Sequence, residues 1–201
     1  MILTLGGSSI DGSAYTDVVD LARESPSWLD SAVSAWSTYG LALFALLMAV
    51  GWRGARRVSP AAAVRALAVP LVVVLAFGID MVVKSLVRED RPCRKLRVST
   101  LEACPAHGDW SFPSNHAAIA AAAAVALLFV GRRLGALAVA AACAMAAARV
   151  WVGVHYPHDA VAGLLVGSLV ALLAMYALRR LPESLAPRIT ATRLRPLVVA
   201  S

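Results

Sequence analysis

Charged residues are scarce in this chain. Asp, Glu, Lys and Arg make up 15% of its 201 residues, against about 25% in an average soluble domain. Hydrophobic residues make up 60%, and the mean hydropathy is +0.72. So small a fraction of charged residues excludes an ordinary soluble domain, whose surface must face water. The composition predicts an integral membrane protein.

The N-terminal residues also lack the marks of a cleavable signal peptide. The stretch MILTLGGSSIDGSAYTD at 1–17 has neither a basic start nor a sustained apolar core. We therefore expect the later apolar segments to direct insertion into the bilayer themselves.

The excess of positive charge does not indicate a nucleic-acid partner. The 19 Lys and Arg against 12 Asp and Glu give a formal net charge of +7, but the basic residues stand in short clusters between apolar segments. Clusters of that kind are typical of the flanks of membrane spans. The pattern predicts the bilayer as a partner and no nucleic acid.

Five apolar segments are long enough to cross the bilayer core, which takes about 20 helical residues. They are residues 32–52, 60–83, 112–131, 134–154 and 160–178. The stretch DVVDLARESPSWLDS at 17–31 carries too much charge to cross, and we expect an amphipathic helix along the interface there. The prediction is an all-α, polytopic membrane bundle of five transmembrane helices with an N-terminal interfacial helix. Its domains are an interfacial segment (1–30), a transmembrane domain (31–180) and a cytoplasmic basic tail (181–201).

Arginine clusters predict the orientation, because basic residues collect on the cytoplasmic side of spans. Such clusters follow the first, third and fifth predicted spans: Arg53, Arg56 and Arg57; Arg132 and Arg133; Arg179 and Arg180. The loops after the second and fourth spans are then outside. Yet the outer stretch KSLVREDRPCRKLR at 84–97 holds six Lys and Arg. We interpret this excess as an anion-binding loop.

Three stretches on the predicted outer side carry most of the remaining polar residues. They are KSLVREDRP (84–92), FPSNH (112–116) and ARVWVGVHYPHD (148–159). Their spacing resembles the three-part signature of the type 2 phosphatidic acid phosphatase superfamily. The five-span layout and the strings SFPSNHA and RVWVGVHYPHDAVAG are most similar to the bacterial undecaprenyl-pyrophosphate phosphatases of the bacitracin-resistance type.

The resemblance implies a role for each of eight residues. His155 is the nucleophile that attacks phosphorus, Asp159 orients its ring, and His116 protonates the departing oxygen. The positions implied to bind the substrate phosphate are Lys84, Arg91, Ser114, Asn115 and Arg149.

These residue types also suit phosphoryl transfer on chemical grounds. The reaction needs cationic donors that draw charge off the phosphoryl oxygens, and a nucleophile in line with the leaving group. Ser114 follows Pro113 at the start of a predicted helix, so its hydroxyl and the free backbone N–H groups can bind one phosphate. A neutral imidazole held by a carboxylate can form a phosphohistidine. The scheme requires no metal and no other cofactor.

Two motif positions depart from the family pattern. Asn115 stands where glycine is usual and where the bacitracin-resistance type often has aspartate, and Ala148 stands where serine is usual. Asn115 is nearly isosteric with aspartate but uncharged, so the change bears on the chemistry of the leaving group.

The resemblance and the orientation together imply an outward-facing phosphatase of the bacterial cell membrane. The expected substrate is a polyprenyl pyrophosphate, undecaprenyl or decaprenyl diphosphate, which loses its terminal phosphate. One alternative is another membrane phosphate, such as phosphatidylglycerol phosphate, diacylglycerol pyrophosphate or a polyprenyl-phosphoryl sugar phosphate. The other is a non-catalytic transporter or lipid-binding protein with a basic vestibule.

Some polar residues also have a purely structural interpretation. Lys84 ends a predicted span, where lysine often reaches out to the interface. Asp80 matches no motif position, and we expect it to pair with Lys84 one turn on or with a loop cation. His158 has no assigned role and is expected to face the headgroups. Cys93 and Cys104 share the outer loop and are either joined in a disulfide or present as two thiols.

Overall fold

The computed structural model describes residues 6–180, 191–192 and 195–199, and all the regular elements in these residues are helices. The long and medium helices are α1 (Gly7–Glu24), α2 (Ser27–Tyr39), α3 (Leu41–Ala55), α4 (Pro60–Val87), α6 (Asn115–Leu128), α7 (Arg132–Trp151) and α8 (Pro157–Arg179). Two single-turn helices are α5 (Pro92–Lys95) and α9 (Arg195–Val198). The all-α prediction is confirmed for this part of the chain.

The starts of two long helices follow from local sequence. Ser59 caps α4, since its Oγ accepts a hydrogen bond from the backbone N of Ala62 at 3.1 Å, and Pro60 occupies the first turn. At α8, Pro157 occupies the first turn and the Asp159 carboxylate accepts a bond from the backbone N of Tyr156 at 2.8 Å. The carboxylate that the sequence assigns to catalysis therefore also defines where α8 begins.

Among the described residues, three segments are long and apolar enough to cross a membrane: Pro60–Lys95, Arg132–Trp151 and Pro157–Arg179. Helices α2 and α3 pass the same test together but are bent by 55°. The protein is thus a multi-pass helical membrane protein with three or four candidate spans in the described part of the chain, and the prediction of five transmembrane helices is met only in part.

Two of the five predicted spans do not form single helices of membrane-crossing length, each for a local reason. The predicted span 32–52 is broken at Gly40, where a Cβ would overlap the backbone O of Trp36 and lie 2.7 Å from the Met145 side chain. The predicted span 112–131 loses its start, because α6 begins only at Asn115 and has 14 residues. At 1.5 Å per residue α6 is about 21 Å long, shorter than a bilayer core of about 30 Å.

Helix α6 lies at the centre of the bundle and contacts α3, α4, α7 and α8. Its buried residues are mostly alanines, which let neighbouring backbones approach closely. On α8 the closest approach occurs at Gly163 and Gly167, where a Cβ would overlap the backbone oxygens of Ser114 and Ala118. Small residues on both helices therefore hold the start of α6 against the start of α8.

The N-terminal helix α1 packs against α5, α7 and α8. Tyr15, Val19 and Ala22 are buried in this contact, and the Tyr15 hydroxyl donates to the backbone O of Gly153 at 2.8 Å. An interfacial position for residues 1–30 stays a prediction. The structure adds that α1 rests on the loop between α7 and α8, and that residue 31 falls inside α2.

Most of the predicted basic tail, 181–201, lies outside the described residues, including Arg188 and Arg193. Its described end packs near the end of α3: Trp52 Nε1 donates to the backbone O of Leu197, and an Arg56 guanidinium N donates to the backbone O of Val199, both at 2.8 Å.

Candidate active site

All eight predicted site residues lie at one end of the bundle, where α4 and α7 end and α6 and α8 begin. Lys84 is in the last turn of α4 and Arg149 in the last turn of α7. The FPSNH stretch enters α6, and His155 lies in the short loop before α8. The backbone N of Ser114 donates to the backbone O of Asp159 at 3.0 Å, which joins the two helix starts directly.

His155 is the centre of the polar cluster. Its ring is 2% exposed and lies between a cation and a carboxylate, with Nε2 at 3.1 Å from Arg91 Nη1 and Nδ1 at 3.4 Å from Asp159 Oδ2. Because a guanidinium N–H can only donate, Nε2 accepts and Nδ1 carries the ring proton. The geometry selects the tautomer that leaves the electron pair on Nε2.

The electrostatics agree with a neutral ring. Burial lowers the pKa of His155 to about 3. The hydrogen bond to Asp159 opposes this shift, while the charges of Arg91 and Arg149 add to it. His155 is therefore uncharged at neutral pH.

Asp159 is fully buried and held from several directions. Its Oδ2 accepts hydrogen bonds from the Ser111 hydroxyl and from the backbone N of Tyr156. Ser111 Oγ is also 3.5 Å from His155 Nδ1. The sequence did not single out Ser111, although it directly precedes the FPSNH stretch.

Arg91 is held in place by the loop that follows α5. Its Nε donates to the backbone O of Asp109 at 2.9 Å, Nη2 pairs with Asp109 Oδ1 at 3.0 Å, and Nη1 donates to the backbone O of Val154 at 2.8 Å. Burial alone would raise the pKa of Asp109, but the hydrogen bond and charge of Arg91 hold it below its ordinary value. Asp109 is a further residue that the motif analysis missed.

Lys84 points into the protein and not out to an interface. It is buried, and its Nζ donates to the backbone O of Trp110 at 2.9 Å. The charge of Lys84 acts on Asp80, as expected of a neighbour one turn away, but both Asp80 carboxylate oxygens are buried without a hydrogen-bond partner among the described residues. The Lys84 ammonium instead donates to the backbone carbonyl of Trp110 in the loop before α6.

The FPSNH stretch presents unpaired polar groups. The Ser114 hydroxyl and Asn115 Oδ1 are buried and have no hydrogen-bond partner in the described part of the chain. Asn115 Nδ2 makes only a contact of 3.4 Å to Met81 Sδ. His116 follows in the first turn of α6 and is partly buried. Buried polar groups are nearly always hydrogen-bonded, so the unpaired Ser114 hydroxyl at a helix start is a candidate donor to an anion, whereas Asn115 Oδ1 can only accept.

Arg149 is held by two residues that belong to none of the three motifs. One guanidinium N donates to Ser37 Oγ of α2 at 2.5 Å and pairs with Glu102 Oε2 at 3.2 Å. Its Nε has no partner among residues 6–180. Arg149 does not contact His155, but its charge is among those that lower the pKa of His155.

His158 lies on the far side of Asp159, and the expectation that it faces the headgroups is wrong. Its Nδ1 is 2.7 Å from Asp11 Oδ1, and its backbone N donates to Asp11 Oδ2 at 2.8 Å. Its Nε2 is 3.1 Å from Glu89 Oε2 and 3.4 Å from Asp159 Oδ1. One atom each of Glu89, His158 and Asp159 lies within 4.8 Å of the others, a spacing that a metal ion could also use. Glu89 lies within the first motif stretch, between Lys84 and Arg91, and could have been suspected, whereas nothing near Asp11 in the sequence marks it.

Cys93 and Cys104 are joined in a disulfide, with their Cα atoms 5.9 Å apart. The bond closes the basic loop just after Arg91. Cys143 is free and exposed on α7.

Residues 65–183, more than half of the chain, match the PAP2 superfamily. The chain is 29% identical over 147 residues to the undecaprenyl-diphosphatase BcrC of Bacillus subtilis, a match that covers 73% of this chain and 74% of the relative. It is 39% identical over 72 residues to an undecaprenyl-diphosphatase of Sulfolobus acidocaldarius. It is 36% identical over 73 residues to the bacitracin transport permease protein of Bacillus licheniformis. These two shorter matches cover 35% and 36% of the respective relatives.

A solved structure has a similar fold. The crystal structure of a transmembrane PAP2 type phosphatidylglycerolphosphate phosphatase from Bacillus subtilis matches with a TM-score of 0.61, covering 86% of this chain and 88% of that one. The sequence identity is 19%, so the likeness concerns the fold alone.

Proposed function

The chain belongs to the PAP2 superfamily, and from that membership we propose that this membrane lipid phosphatase converts a polyprenyl pyrophosphate to its monophosphate and inorganic phosphate. The substrate class we infer is undecaprenyl or decaprenyl diphosphate. The likeness to the undecaprenyl-diphosphatase of Bacillus subtilis over 73% of the chain supports this substrate. The observation that carries the reaction is the buried His155 ring between Arg91 and Asp159.

The first step is attack by His155 on the terminal phosphorus. Nε2 holds the electron pair because Nδ1 carries the proton that faces Asp159. When the substrate enters, the Arg91 Nη1 hydrogen bond passes from Nε2 to a phosphoryl oxygen. The bond from Nε2 to phosphorus then forms, the bond to the bridging oxygen breaks, and its electron pair leaves on the lipid monophosphate.

His116 is proposed to move the protons of both steps. It protonates the bridging oxygen as the lipid monophosphate departs. It then takes a proton from the water that attacks the phosphohistidine and releases inorganic phosphate. Its position in the first turn of α6, two residues after the unpaired Ser114 hydroxyl, supports this role.

The terminal phosphate is proposed to bind at the start of α6. Ser114 Oγ and the backbone N–H groups of the first turn would donate to it from below, and the cations of Lys84, Arg91 and Arg149 would neutralise it from around the rim. Asn115 would add an amide without a negative charge. With Ala148 in the motif serine position, the hydroxyl that holds Arg149 comes from Ser37.

Each role in this scheme belongs to a side chain or a backbone N–H group. We therefore propose a metal-independent reaction that proceeds in the presence of EDTA. Strict dependence on Mg²⁺ would contradict the scheme, because a metal would then supply the charge assigned to the three cations.

The decisive experiment measures phosphate release from a panel of purified lipid phosphates. The panel contains a polyprenyl pyrophosphate, the polyprenyl monophosphate, phosphatidylglycerol phosphate and diacylglycerol pyrophosphate, each with wild type and His155→Ala. The proposal expects the highest kcat/KM on the polyprenyl pyrophosphate. A higher value on phosphatidylglycerol phosphate would replace the substrate and keep the mechanism, whereas binding of all four without turnover would favour a lipid-binding protein.

We propose that the active site faces outward from the bacterial cell membrane, on the side opposite the arginine clusters at 53–57 and 132–133. Single cysteines introduced at 94–110 or near Arg132, in a background free of other cysteines, test this with a membrane-impermeant reagent. Labelling of the first group from outside is expected. Labelling of the second group instead would place the active site in the cytoplasm.

A further inference from the structure

One stripe of α1 lies directly over the loop that carries the nucleophile. It consists of Gly7, Asp11 and Tyr15, and α1 is kinked at Asp11, whose backbone is not helical (φ −145°, ψ 28°). A Cβ at Gly7 would overlap Glu89 Oε1, so the first turn of α1 rests on that carboxylate. The Tyr15 hydroxyl donates to Gly153, and all three residues are buried or partly buried.

Asp11 connects this stripe to His158. It accepts the backbone N–H of His158 at 2.8 Å through one oxygen and lies 2.7 Å from Nδ1 through the other. The second ring nitrogen, Nε2, faces Glu89 Oε2 at 3.1 Å and Asp159 Oδ1 at 3.4 Å. The Phe112 and Tyr156 rings stack near the imidazole, with centroids 5.9 and 5.4 Å away.

This arrangement puts a carboxylate at both ring nitrogens. A neutral imidazole has one donor nitrogen and one acceptor nitrogen, so one of the two contacts would then set two electron pairs against each other. An imidazolium donates from both and satisfies Asp11 and Glu89 together. It also offsets the repulsion among three carboxylates that converge in a largely buried space.

The two oxygens of Asp159 therefore serve different histidines. Oδ2 faces His155, and Oδ1 faces His158 and has no other partner in the described ranges. A cation at His158 stabilises the ionised form of Asp159 and attracts its Oδ1 toward the His158 ring. The direction of Oδ2, and with it the orientation of the His155 ring, then depends on His158.

We propose that His158, held as an imidazolium by Asp11 and Glu89, is a positioning residue for His155, and that α1 is thereby an integral part of the active site. The proposal rests on the proposed function, since it assigns the positioning to the nucleophile of that reaction. It gives the N-terminal helix a role that no motif of the superfamily signature contains.

One test is independent of activity. The protein has four histidines, so ring nitrogen-15 labels give few NMR signals, and His158→Gln identifies the one from His158. At neutral pH both His158 nitrogens are expected to carry protons, and the His155 ring is expected to be neutral. A neutral His158 ring would overturn the proposal. So would a stoichiometric metal that co-purifies with wild type and is lost in His158→Gln, because a ligating nitrogen cannot carry a proton.

The kinetic test compares Asp11→Asn and His158→Gln with Asp17→Asn, an exposed acidic residue on the same helix. Loss of a charge-assisted hydrogen bond predicts a fall in kcat of about ten- to a hundredfold for the first two variants. KM should stay within about twofold, and phosphohistidine formation should slow in the same proportion as kcat. Asp11→Glu, which keeps the charge, should recover part of the loss, and Asp17→Asn should equal wild type.

The double variant tests whether the two residues act as one unit. Asp11→Asn with His158→Gln should lose no more activity than the worse single variant. If His158→Gln does not fold, Asp11→Asn and Asp11→Glu carry the test, since both retain the ring. A drop in the unfolding temperature with unchanged kcat would leave α1 with a structural role only and overturn the proposal.

These ratios can be measured on any lipid phosphate that wild type hydrolyses, so a wrong substrate leaves the comparison intact. If wild type hydrolyses none of them, the proposed function fails and the positioning role fails with it. If wild type is active and Asp11→Asn and His158→Gln match it, only the positioning role is lost.

Discussion

His155 and His158 lie three residues apart and have opposite surroundings. A guanidinium of Arg91 faces His155, and the charge of Arg149 acts on it as well. Carboxylates of Asp11 and Glu89 face His158. The first environment disfavours a proton on the ring and the second favours one. One side chain type is thereby suited to be a nucleophile in one place and a cation in the other.

Asp159 separates these two regions and belongs to both. Its Oδ2 lies against His155, and its Oδ1 lies against His158. The contrast teaches that the charge of a buried histidine is decided by the groups that fold around it. Substitutions of His155, of the shared Asp159 carboxylate and of cations at the edge of the basic loop test this contrast.

The largest effect is expected when His155, the proposed nucleophile, is replaced. His155→Ala should abolish turnover and phosphoenzyme, because no other described group takes its place between Arg91 and Asp159. His116→Ala should still accumulate phosphohistidine from a substrate with a good leaving group, which rapid quenching and phosphate labelling can detect. His107→Ala, at an exposed loop position, serves as the control. Full activity of His155→Ala would refute the mechanism.

A somewhat smaller loss is expected from Asp159→Asn. The amide keeps the shape but removes the charge that selects the His155 tautomer, and in a triad of this kind such a change costs about 10⁴-fold in kcat. The NMR signals of both histidines should shift together, since both contact the carboxylate. A change confined to His155 would contradict the view that Asp159 couples the two regions.

The lowered pKa of His155 also predicts a pH dependence of stability. In the unfolded chain His155 has a pKa of 6.5 and is protonated below that pH, whereas in the folded protein it is protonated only as the pH approaches 3. Acid therefore favours the unfolded state across this range. The unfolding temperature of wild type should therefore fall from pH 6.5 downward more steeply than that of His155→Gln. Parallel curves would show that the folded ring binds its proton at an ordinary pH.

The smallest effect is expected at the edge of the basic region, on Arg88 and Lys95. A pyrophosphate has a second phosphate that could use one of these cations, whereas a monophosphate has none. Arg88→Gln and Lys95→Gln should each lower kcat/KM for the polyprenyl pyrophosphate about two- to fivefold more than for the monophosphate. Arg133→Gln, at the other end of the bundle, is the matched control. Equal losses on both lipids would limit these residues to general attraction of anionic headgroups.

Local sequence pattern was enough to predict the helical class, most of the apolar segments and the residues that we propose to bind phosphate. These follow from local pattern: apolar runs of span length, and Lys84, Ser114 and Arg149 placed where such runs begin or end. The motif spacing then assigns Arg91, His155 and Asp159, which the structure brings into direct contact. Local hydrophobicity decides where a helix enters and leaves the bilayer, so residues at those ends are predictable.

The residues that surround the predicted site could be found only from the three-dimensional fold. Gly40, at the bend between α2 and α3, lies against Met145, and Ser37 reaches Arg149 from 112 positions away. Asp11 meets His158 across 147 positions. Contacts at such separations depend on how helices pack, and packing leaves no periodic signal near either partner. That is why His155, the proposed nucleophile, could be predicted from its own motif, whereas the contact of α1 with His158 could not.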